Sequence, residues 1–343
     1  MPTAPTAVEA PVTPERIHQF AFAYAVPLIL ESAIRHHVFD TLDHGPKSLH
    51  QIHLDTGASE RGLAAILNAL VGFEFLSKDA QEIYSLTAES AAFLVATKPG
   101  FQGGLIRHTS EHLLPKWLNL TEVVRTGKPV AAVNREATGG EFFKEFVNDI
   151  FPRSYPSAQE LAQHLKLSSS EETVRVLDLA AGSGVWGIAL AQSSTMVRVT
   201  AVDWPEVIPV TQATVARYGL AERFSYCEGD LQEADFGSGH QVATLGHILH
   251  SEGVERSKLL LQKTFAALAP GGTIAIAEFL VNPDHTGPLN GLIFAVNMLV
   301  NTDCGGTYSF EEISEWLSEA GFVQTYALAT QGPSPLILAT KPS

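Results

Sequence analysis

Apolar residues in the first half of the chain recur mostly at the intervals of α-helices. The helical pattern covers 14–43, 48–56 and 59–70. A small hairpin is predicted next, over 78–86, and a helical segment over 106–168 then bridges to the rest of the chain. This order of helices followed by a hairpin is the layout of a winged helix. We therefore expect an N-terminal, mainly helical domain over 1–105.

From residue 173 onward, short apolar runs alternate with helical patterns. The runs predict strands at 174–179, 198–203, 223–227, 241–249, 273–281, 322–328 and 335–340. The helical patterns between several of them cover 186–193, 206–217, 254–268 and 309–320. Such alternation favours an α/β fold with a Rossmann-like, seven-stranded, mostly parallel sheet and ligands at the carboxyl ends of its strands. The short link 331–334 predicts a hairpin, so the last strand should be antiparallel.

The first predicted strand leads into a glycine-rich loop. Asp178 closes this strand, and Gly182, Gly184 and Gly187 follow it. Glycines at this spacing let the backbone turn sharply and approach a ligand closely where a helix begins. The loop therefore predicts a nucleotide-like cofactor at the end of the strand.

Two classes of cofactor need such a loop, namely dinucleotides and S-adenosylmethionine (SAM). Asp203 ends the second strand about 20 residues after the first glycine, where a carboxylate accepts both ribose hydroxyls in either class. Three features favour SAM. Asp178 precedes the glycines and could hold the methionine ammonium through water or backbone, Asp230 could accept from an adenine amino group, and the loop lies in mid-chain. A nicotinamide-dependent oxidoreductase is an alternative.

Six short motifs resemble, in their order, those of the class I SAM-dependent methyltransferases. They are DLAAGSG at 178–184, VDWP at 202–205, GD at 229–230, HILH at 247–250, LAPGG at 268–272 and EAGF at 319–322. More narrowly, the chain resembles the small-molecule O-methyltransferases of plant type and their bacterial relatives. The likeness is specific over 174–272, whereas the N-terminal third matches mainly in layout. It implies a methyltransferase domain over 106–343 and an N-terminal dimerisation domain.

The resemblance also implies roles for individual residues. His250 matches the general base of the family, and a histidine of near-neutral pKa suits the deprotonation of a phenol. Glu278 could hold the imidazole tautomer. The expected cofactor contacts are Asp178, Gly182, Gly184, Asp203, Trp204, Asp230 and Leu231. The expected acceptor contacts are Phe146, Phe151, Asn297 and Met298, with core packing as the alternative for the two phenylalanines and for Met298.

Two departures from the family pattern concern the acid–base chemistry. Ser251 and Glu252 follow His250 where the family usually has Asp-Trp, and the segment GGTYS at 305–309 lacks the glutamate and arginine expected there. Glu252 or Tyr308 is a candidate replacement for that second glutamate. Methylation of carbon or nitrogen, and use of SAM without methyl transfer, are therefore alternatives to methylation of a hydroxyl.

The net charge of the chain argues against some classes of binding partner. The 343-residue chain has a formal net charge of −15, which argues against nucleic-acid and anionic-membrane partners. The winged-helix-like part, 31–85, holds 4 Lys or Arg against 8 Asp or Glu, whereas a DNA-binding module needs basic residues to neutralise phosphates. A winged-helix regulator that senses a ligand is thus the weaker alternative. We expect this domain to pair with a second copy of the chain.

Smaller features of the sequence bear on the cellular location of the protein and on metal binding. The 2 cysteines make no disulfide framework and suit a reducing cytoplasm. The first 15 residues predict a disordered tail, and the apolar stretch 20–30 is too short to span a bilayer. His108 and His112 lack the glutamate of a zinc-protease motif, so no metal is expected. Together these features predict a cytoplasmic homodimer that methylates a hydroxyl of a small aromatic metabolite.

Overall fold

The structure, a computed structural model, describes residues 12–343 apart from the side chains at 136–138, 141 and 145. It divides into two units, the first ending at Ser110 and the second running Glu111–Ser343. The disordered tail predicted for the first 15 residues falls mostly on 1–11, which lie outside the described residues, and it stays a prediction.

The N-terminal unit combines short helices with a three-stranded antiparallel sheet. Its helices are α1 Glu15–Ala21, α2 Ala25–Arg35, α3 Val38–Asp43, α4 Leu49–Thr56, α5 Glu60–Gly72, α6 Ala88–Phe93 and α7 Gly103–His108. Its strands are β1 Lys47–Ser48, β2 Leu76–Lys78 and β3 Ile83–Leu86, in the order β1-β3-β2. Fully buried Phe39, Ile52 and Leu67 join the helices in one apolar core. The predicted hairpin is confirmed, because β2 and β3 pair antiparallel.

The helical pattern predicted over 14–43 is divided among three helices in the structure, α1, α2 and α3. His37 separates α2 from α3 with a φ of +54°, and a left-handed residue cannot continue a right-handed helix. By length and composition, Glu15–Arg35 is the one described segment apolar and long enough to cross a membrane. The expectation of no membrane partner, which rested on the net charge of −15 and on the shorter stretch 20–30, stays a prediction.

The second unit begins with the bridging helices and continues as an α/β fold. The bridging helices are α8 Leu114–Trp117, α9 Leu120–Thr126, α10 Glu136–Asp149 and α11 Phe151–His164. The following strands are β4 Val174–Leu179, β5 Val197–Asp203, β6 Phe224–Glu228, β7 His240–Gly246, β8 Leu268–Ala277, β9 Val323–Leu328 and β10 Leu336–Thr340. The helices among them are α12 Val185–Ser193, α13 Ile208–Arg217, α14 Leu249–Ala267, α15 Leu289–Asn301 and α16 Phe310–Glu319.

The seven strands form one sheet in the order β6-β5-β4-β7-β8-β10-β9. Strands β4 to β8 run parallel, and β10 is antiparallel to both of its neighbours, as predicted from the short link before it. Val176, Leu177 and Leu179 of β4 are fully buried because helices cover both faces of a parallel sheet. The strand order reverses between β4 and β7. A crevice for ligands is expected at the carboxyl ends of these two strands.

Two predicted strand ends are wrong by a few residues, and both errors affect the crevice. The strand predicted over 241–249 ends at Gly246, because His247 has a φ of +61° and α14 begins at Leu249. The strand predicted over 273–281 ends at Ala277. As a result, His250 lies in the first turn of a helix and Glu278 directly follows a strand.

Candidate active site

The loop between β4 and α12 turns through left-handed backbone positions. Gly182 and Gly184 have φ values of +57° and +78°. A Cβ atom at Gly184 would come within 3.1 Å of the Thr211 side chain, so a larger residue would be both strained and crowded. The glycines predicted from spacing are therefore required by the backbone geometry of this loop, which we call the glycine loop (180–184).

Asp178 lies beneath the glycine loop and is 0% exposed. Its Oδ2 accepts a 2.9 Å hydrogen bond from the Gly187 N–H, and its Oδ1 accepts one of 2.7 Å from the Thr244 hydroxyl. Burial raises the pKa of Asp178 to about 7, although these two hydrogen bonds act in the opposite direction. Asp178 can thus act on a ligand only through the backbone that it positions.

Asp203 and Trp204 lie beside the loop, at the end of β5. Asp203 accepts hydrogen bonds from the N–H groups of Gly182, at 2.7 Å, and Trp204, at 2.8 Å. Burial raises the pKa of Asp203 to about 6, against the effect of these hydrogen bonds. The carboxylate therefore ties the end of one strand to the glycine loop of its neighbour.

Helix α10 packs against both Trp204 and the glycine loop. The Trp204 ring lies 5.9 Å from the Phe143 ring, and a Cβ atom at Gly139 would come within 2.7 Å of the indole. A Cβ atom at Gly182 would lie 3.2 Å from the Val147 side chain. Phe146 belongs to the same helix, with its ring 6.5 Å from that of Phe143. The structure thus brings Phe146 close to the predicted cofactor contacts.

Phe151 is placed differently from Phe146. It is 7% exposed and stacks on Tyr155 and Tyr218, with ring centroids 5.3 and 5.5 Å away. Its position within a buried apolar cluster assigns Phe151 to the core, which is the alternative that the sequence left open.

Asp230 follows β6 and forms an ion pair that the sequence analysis missed. Both of its carboxylate oxygens accept from Arg256 Nη2, at 3.1 and 3.2 Å. Arg256 Nε also donates to Glu252 at 2.6 Å. The four-residue spacing of Glu252 and Arg256 was a sequence signal for the contact between these two residues only, and Gly253, with a φ of +76°, interrupts the helix between them. Leu231, the next predicted cofactor contact, is 7% exposed and packs in the core.

His250 and Glu278 form a buried pair on the other side of the crevice. Glu278 Oε2 lies 2.8 Å from His250 Nδ1, and Oε1 accepts from the His250 backbone N–H at 3.2 Å. The two side chains are only 12% and 3% exposed. Burial alone would raise the pKa of Glu278, but the charge and hydrogen bonds of His250 outweigh it and hold the pKa below its ordinary value. An ionised Glu278 can only accept, so Nδ1 carries the proton and Nε2 is left basic.

Aromatic rings surround the His250 imidazole. The Phe294 ring, on α15, is nearly perpendicular to it with a centroid distance of 4.9 Å, and the Phe279 ring lies 6.1 Å away. The two phenylalanine rings are themselves 4.3 Å apart. Neither was predicted, because an isolated aromatic residue in an apolar run is indistinguishable from a core residue before its neighbours are known.

Asn297 and Met298 lie one turn further along α15. Asn297 Oδ1 accepts hydrogen bonds from Trp117 Nε1, at 2.9 Å, and from Asn301, at 3.1 Å. The amide oxygen of Asn297 therefore joins α15 to α8, and its NH₂ group is the part left for an acceptor. Met298 is 6% exposed, which favours the packing alternative.

The two candidate replacements for the missing glutamate have other partners. Glu252 pairs with Arg256, and Tyr308 is buried against Trp316, with ring centroids 4.7 Å apart. Neither of these contacts involves the His250 ring. Instead, the Gly306 N–H donates to the His250 carbonyl at 2.8 Å, so Gly305 and Gly306 lie against the backbone of His250. The described residues thus provide one carboxylate, that of Glu278, on this imidazole.

His247 is a second histidine in this region that the sequence analysis assigned no role. Its Nε2 lies 2.9 Å from the Ser334 hydroxyl, and its ring lies 4.8 Å from that of Phe279. Burial lowers the pKa of His247 to about 4, although the nearby Glu278 acts in the opposite direction. It is therefore neutral at physiological pH and unsuited to accept a proton there.

The chain matches two known protein-family models over most of its length. A model described as an O-methyltransferase domain matches residues 117–323, and one described as an O-methyltransferase dimerisation domain matches 18–96. The 3-hydroxy-5-methyl-1-naphthoate 3-O-methyltransferase of Streptomyces sahachiroi is 30% identical over 319 residues, covering 91% of each chain. The tetracenomycin polyketide synthesis 8-O-methyl transferase TcmO of Streptomyces glaucescens is 27% identical, covering 96% of this chain and 97% of its own.

Solved structures resemble the whole chain. A Nostoc punctiforme protein assigned as an O-methyltransferase is 27% identical, with a TM-score of 0.88 that covers 97% of this chain and 100% of that one. Human N-acetylserotonin methyltransferase in complex with SAM shares the fold, with a TM-score of 0.85, 22% identity and coverage of 98% and 100%. Both comparisons match the seven-stranded sheet and the N-terminal helical unit together.

Proposed function

Because the chain belongs to the SAM-dependent O-methyltransferases with an N-terminal dimerisation domain, we propose that it methylates a hydroxyl group of a small aromatic metabolite with His250 as general base. Membership of this family sets aside the nicotinamide-dependent oxidoreductase and the ligand-sensing regulator. The aromatic acceptor is supported by two relatives whose names describe methylation of a naphthoate and of a polyketide.

The residues on the glycine-loop side fit SAM. The left-handed glycines leave the backbone open to a close ligand, the Asp203 carboxylate suits ribose hydroxyls, and the Trp204 indole offers a face for adenine. Asp230 would act near the adenine and Asp178 through the loop that it fixes. When bound, SAM supplies a methyl group that its sulfonium already activates.

The residues on the other side fit removal of a proton. Glu278 keeps the Nδ1 proton on His250, so Nε2 can accept the proton of an acceptor hydroxyl. The carboxylate then stabilises the imidazolium that forms. Phe279 and Phe294 exclude water from the imidazole and offer apolar faces to an aromatic acceptor. The observation that carries the proposal is the 2.8 Å contact between His250 and Glu278 at the carboxyl end of the sheet.

Substitution His250→Ala tests the proposal. We expect the kcat for a phenolic acceptor found by screening to fall about 10²- to 10⁴-fold, since this is the usual contribution of a general base. Affinity for S-adenosylhomocysteine, measured by calorimetry, should stay within about twofold, because the base does not contact the glycine loop. His164→Ala is a matched control, since His164 is exposed at the end of α11. Full activity of His250→Ala would contradict the assignment.

The dimerisation domain supports a homodimer. Ile17, Phe20, Phe22 and Tyr24 are between 59% and 71% exposed in the single chain, a cluster of apolar side chains that a second copy could cover. Light scattering during size-exclusion chromatography would give the mass directly. A monomeric mass at micromolar concentration would contradict the dimer.

A further inference from the structure

A pocket at the opposite edge of the sheet from the crevice is lined by three arginines. It encloses about 260 Å³ at the amino ends of β4, β5 and β6, with Arg175, Arg198 and Arg223 on its wall. The pairing of β4 with β5 sets Arg175 directly beside Arg198. The crevice lies at the carboxyl ends of the same strands, and the 6 residues of β4 put roughly 15 Å between the two places. The pocket is therefore separate from the candidate active site.

The positive charges of this pocket are not balanced by carboxylates. Glu222 is the only acidic residue among the described residues that line it, and no described carboxylate forms an ion pair with any of the three guanidinium groups. Burial and the positive charge of Arg198 lower the pKa of Arg223. Like charges side by side are unfavourable, and the chain as a whole has 22 Lys and Arg against 37 Asp and Glu. The pocket thus concentrates positive charge in an acidic protein, and an anion bound there would relieve the repulsion.

Backbone carbonyls hold each guanidinium in place. Arg198 Nη1 donates to two carbonyls, at 2.8 and 3.0 Å, and Arg223 Nη1 donates to two others, at 2.6 and 2.8 Å. Arg175 Nη2 donates to the Gly239 carbonyl at 2.6 Å, and a Cβ atom at Gly239 would collide with this guanidinium. Because these contacts use Nη1 of Arg198 and Arg223, each of the two keeps its Nε–Nη2 edge for an oxyanion, which accepts two parallel hydrogen bonds from such an edge. Side chains already fixed lose less entropy when a ligand binds.

The size and the polar groups of the pocket favour a small phosphorylated ligand. Its volume lies below the roughly 300–1,000 Å³ of pockets for drug-sized ligands, and the net charge of −15 disfavours a long polyanion such as nucleic acid. A phosphate group carries up to two negative charges and has enough oxygens to accept from three guanidinium groups, whereas a carboxylate has one charge and two oxygens. The Thr200 and Ser225 hydroxyls, 3.1 Å apart, also line the pocket and are further donors.

We propose that this arginine pocket (Arg175, Arg198 and Arg223) binds the phosphate group of a small molecule. The ligand has two possible sources: inorganic diphosphate, or an organic phosphate ester whose apolar part packs on Phe224, which also lines the pocket. The proposal is independent of the proposed function, because the arginine pocket shares no residue with the crevice.

Calorimetry on the full chain saturated with S-adenosylhomocysteine tests the proposal, since the nucleoside keeps added anions from the glycine loop. The probes are inorganic diphosphate and phenyl phosphate, with inorganic phosphate as the reference, all at one ionic strength. Wild type should bind at least one probe with a Kd of about 1 mM or below. Tighter binding of diphosphate would identify the inorganic source, and tighter binding of phenyl phosphate would identify an ester.

Substitution of Arg198 locates the bound probe. Arg198→Gln should lower the affinity for the tighter probe at least about tenfold, because a charged hydrogen-bonding partner is lost. Arg198→Lys keeps the charge without the two-donor edge and should recover part of this loss. Arg125→Gln is the matched control, because Arg125 is exposed on α9 and pairs with Glu122 outside the pocket. It should leave the affinity within about twofold of wild type.

Two results would overturn the proposal. One is a Kd above about 1 mM for both probes in wild type. The other is a loss of affinity in Arg198→Gln that is smaller than about tenfold or no larger than that in Arg125→Gln. Thermal unfolding checks that each variant folds. If Arg198→Gln does not, Arg175→Gln takes its place with the same expected loss.

Discussion

The two sides of the crevice are built from different kinds of group. On the proposed cofactor side, the surface is backbone: the glycine loop turns through left-handed positions, and buried Asp178 fixes it from beneath. On the proposed acceptor side, the surface is made of side chains, with the His250–Glu278 pair beside Phe279 and Phe294. A backbone surface suits a ligand common to a whole family, whereas single substitutions can rebuild a side-chain surface. Substitutions on the two sides should therefore change different measurements.

The largest expected effect is on kcat, and it follows substitution of Glu278. Glu278→Gln keeps the size of the side chain but removes the charge that stabilises the protonated His250, so kcat should fall about 10²- to 10⁴-fold. Affinity for S-adenosylhomocysteine should stay within about twofold, as measured by calorimetry. Glu319→Gln, which removes an exposed carboxylate paired with Lys258, is the control. A kcat within about tenfold of wild type would show that the imidazole does not need this carboxylate.

The next effect concerns the pH dependence of stability on the cofactor side. Asp178 has a pKa of about 7 in the fold against 3.8 ordinarily, so the folded state binds its proton more tightly. Its contribution to stability is fully present below pH 3.8 and is lost as pH rises through about 7. Asp178→Asn cannot ionise. Between pH 4 and 8, wild type should therefore lose up to about 4 kcal/mol more unfolding free energy than this variant.

Urea unfolding at several pH values, without cofactor, measures this difference. Asp203→Asn should act in the same direction with a smaller change, because the pKa of Asp203 is raised only to about 6. Parallel pH profiles for wild type and Asp178→Asn would mean that the buried carboxyl does not titrate in this range.

A smaller effect tests whether cofactor affinity depends on the backbone conformation of the glycine loop. Gly184→Ala adds a Cβ atom at a φ of +78°, 3.1 Å from Thr211, and should lower affinity for S-adenosylhomocysteine about tenfold. Gly219→Ala is a matched control, because Gly219 has a φ of +70° with nothing within 4 Å and lies outside the crevice. Gly219→Ala should lower the thermal stability by as much as Gly184→Ala or less, and it should leave the affinity for S-adenosylhomocysteine unchanged. Equal affinities in all three proteins would contradict a role for the loop backbone.

The same difference between the two sides explains what could be predicted from the sequence. The strands that carry Asp178 and Asp203, and the glycines between them, form a contiguous pattern whose spacing follows from backbone geometry. The acceptor side depends on contacts between residues far apart in the chain, such as Arg153 with Phe279 and Trp117 with Asn297. The spacing of residues within a short stretch of sequence cannot predict such contacts.

The errors at element ends have a local cause. His247 adopts a left-handed φ although it is not glycine, and this ends β7 three residues before the apolar run ends. Single residues other than glycine visit this region rarely, so a hydrophobic pattern cannot anticipate it. The helix that starts at Leu249 then carries His250 to the Glu278 carboxylate. His250 was identified through its family motif, and its pairing with Glu278 depends on this turn.

The smallest effect tests whether the two sides are independent. Arg256 joins them, because it pairs with Asp230 on the cofactor side and with Glu252, two residues after His250. Its side chain is 37% exposed, so each ion pair should be worth no more than about 1 kcal/mol. Arg256→Gln should therefore change both kcat and the affinity for S-adenosylhomocysteine by about two- to fivefold, whereas the earlier substitutions change one measurement each. If only one of the two measurements changes, the ion pairs serve that side alone, and the two sides of the crevice are energetically separate.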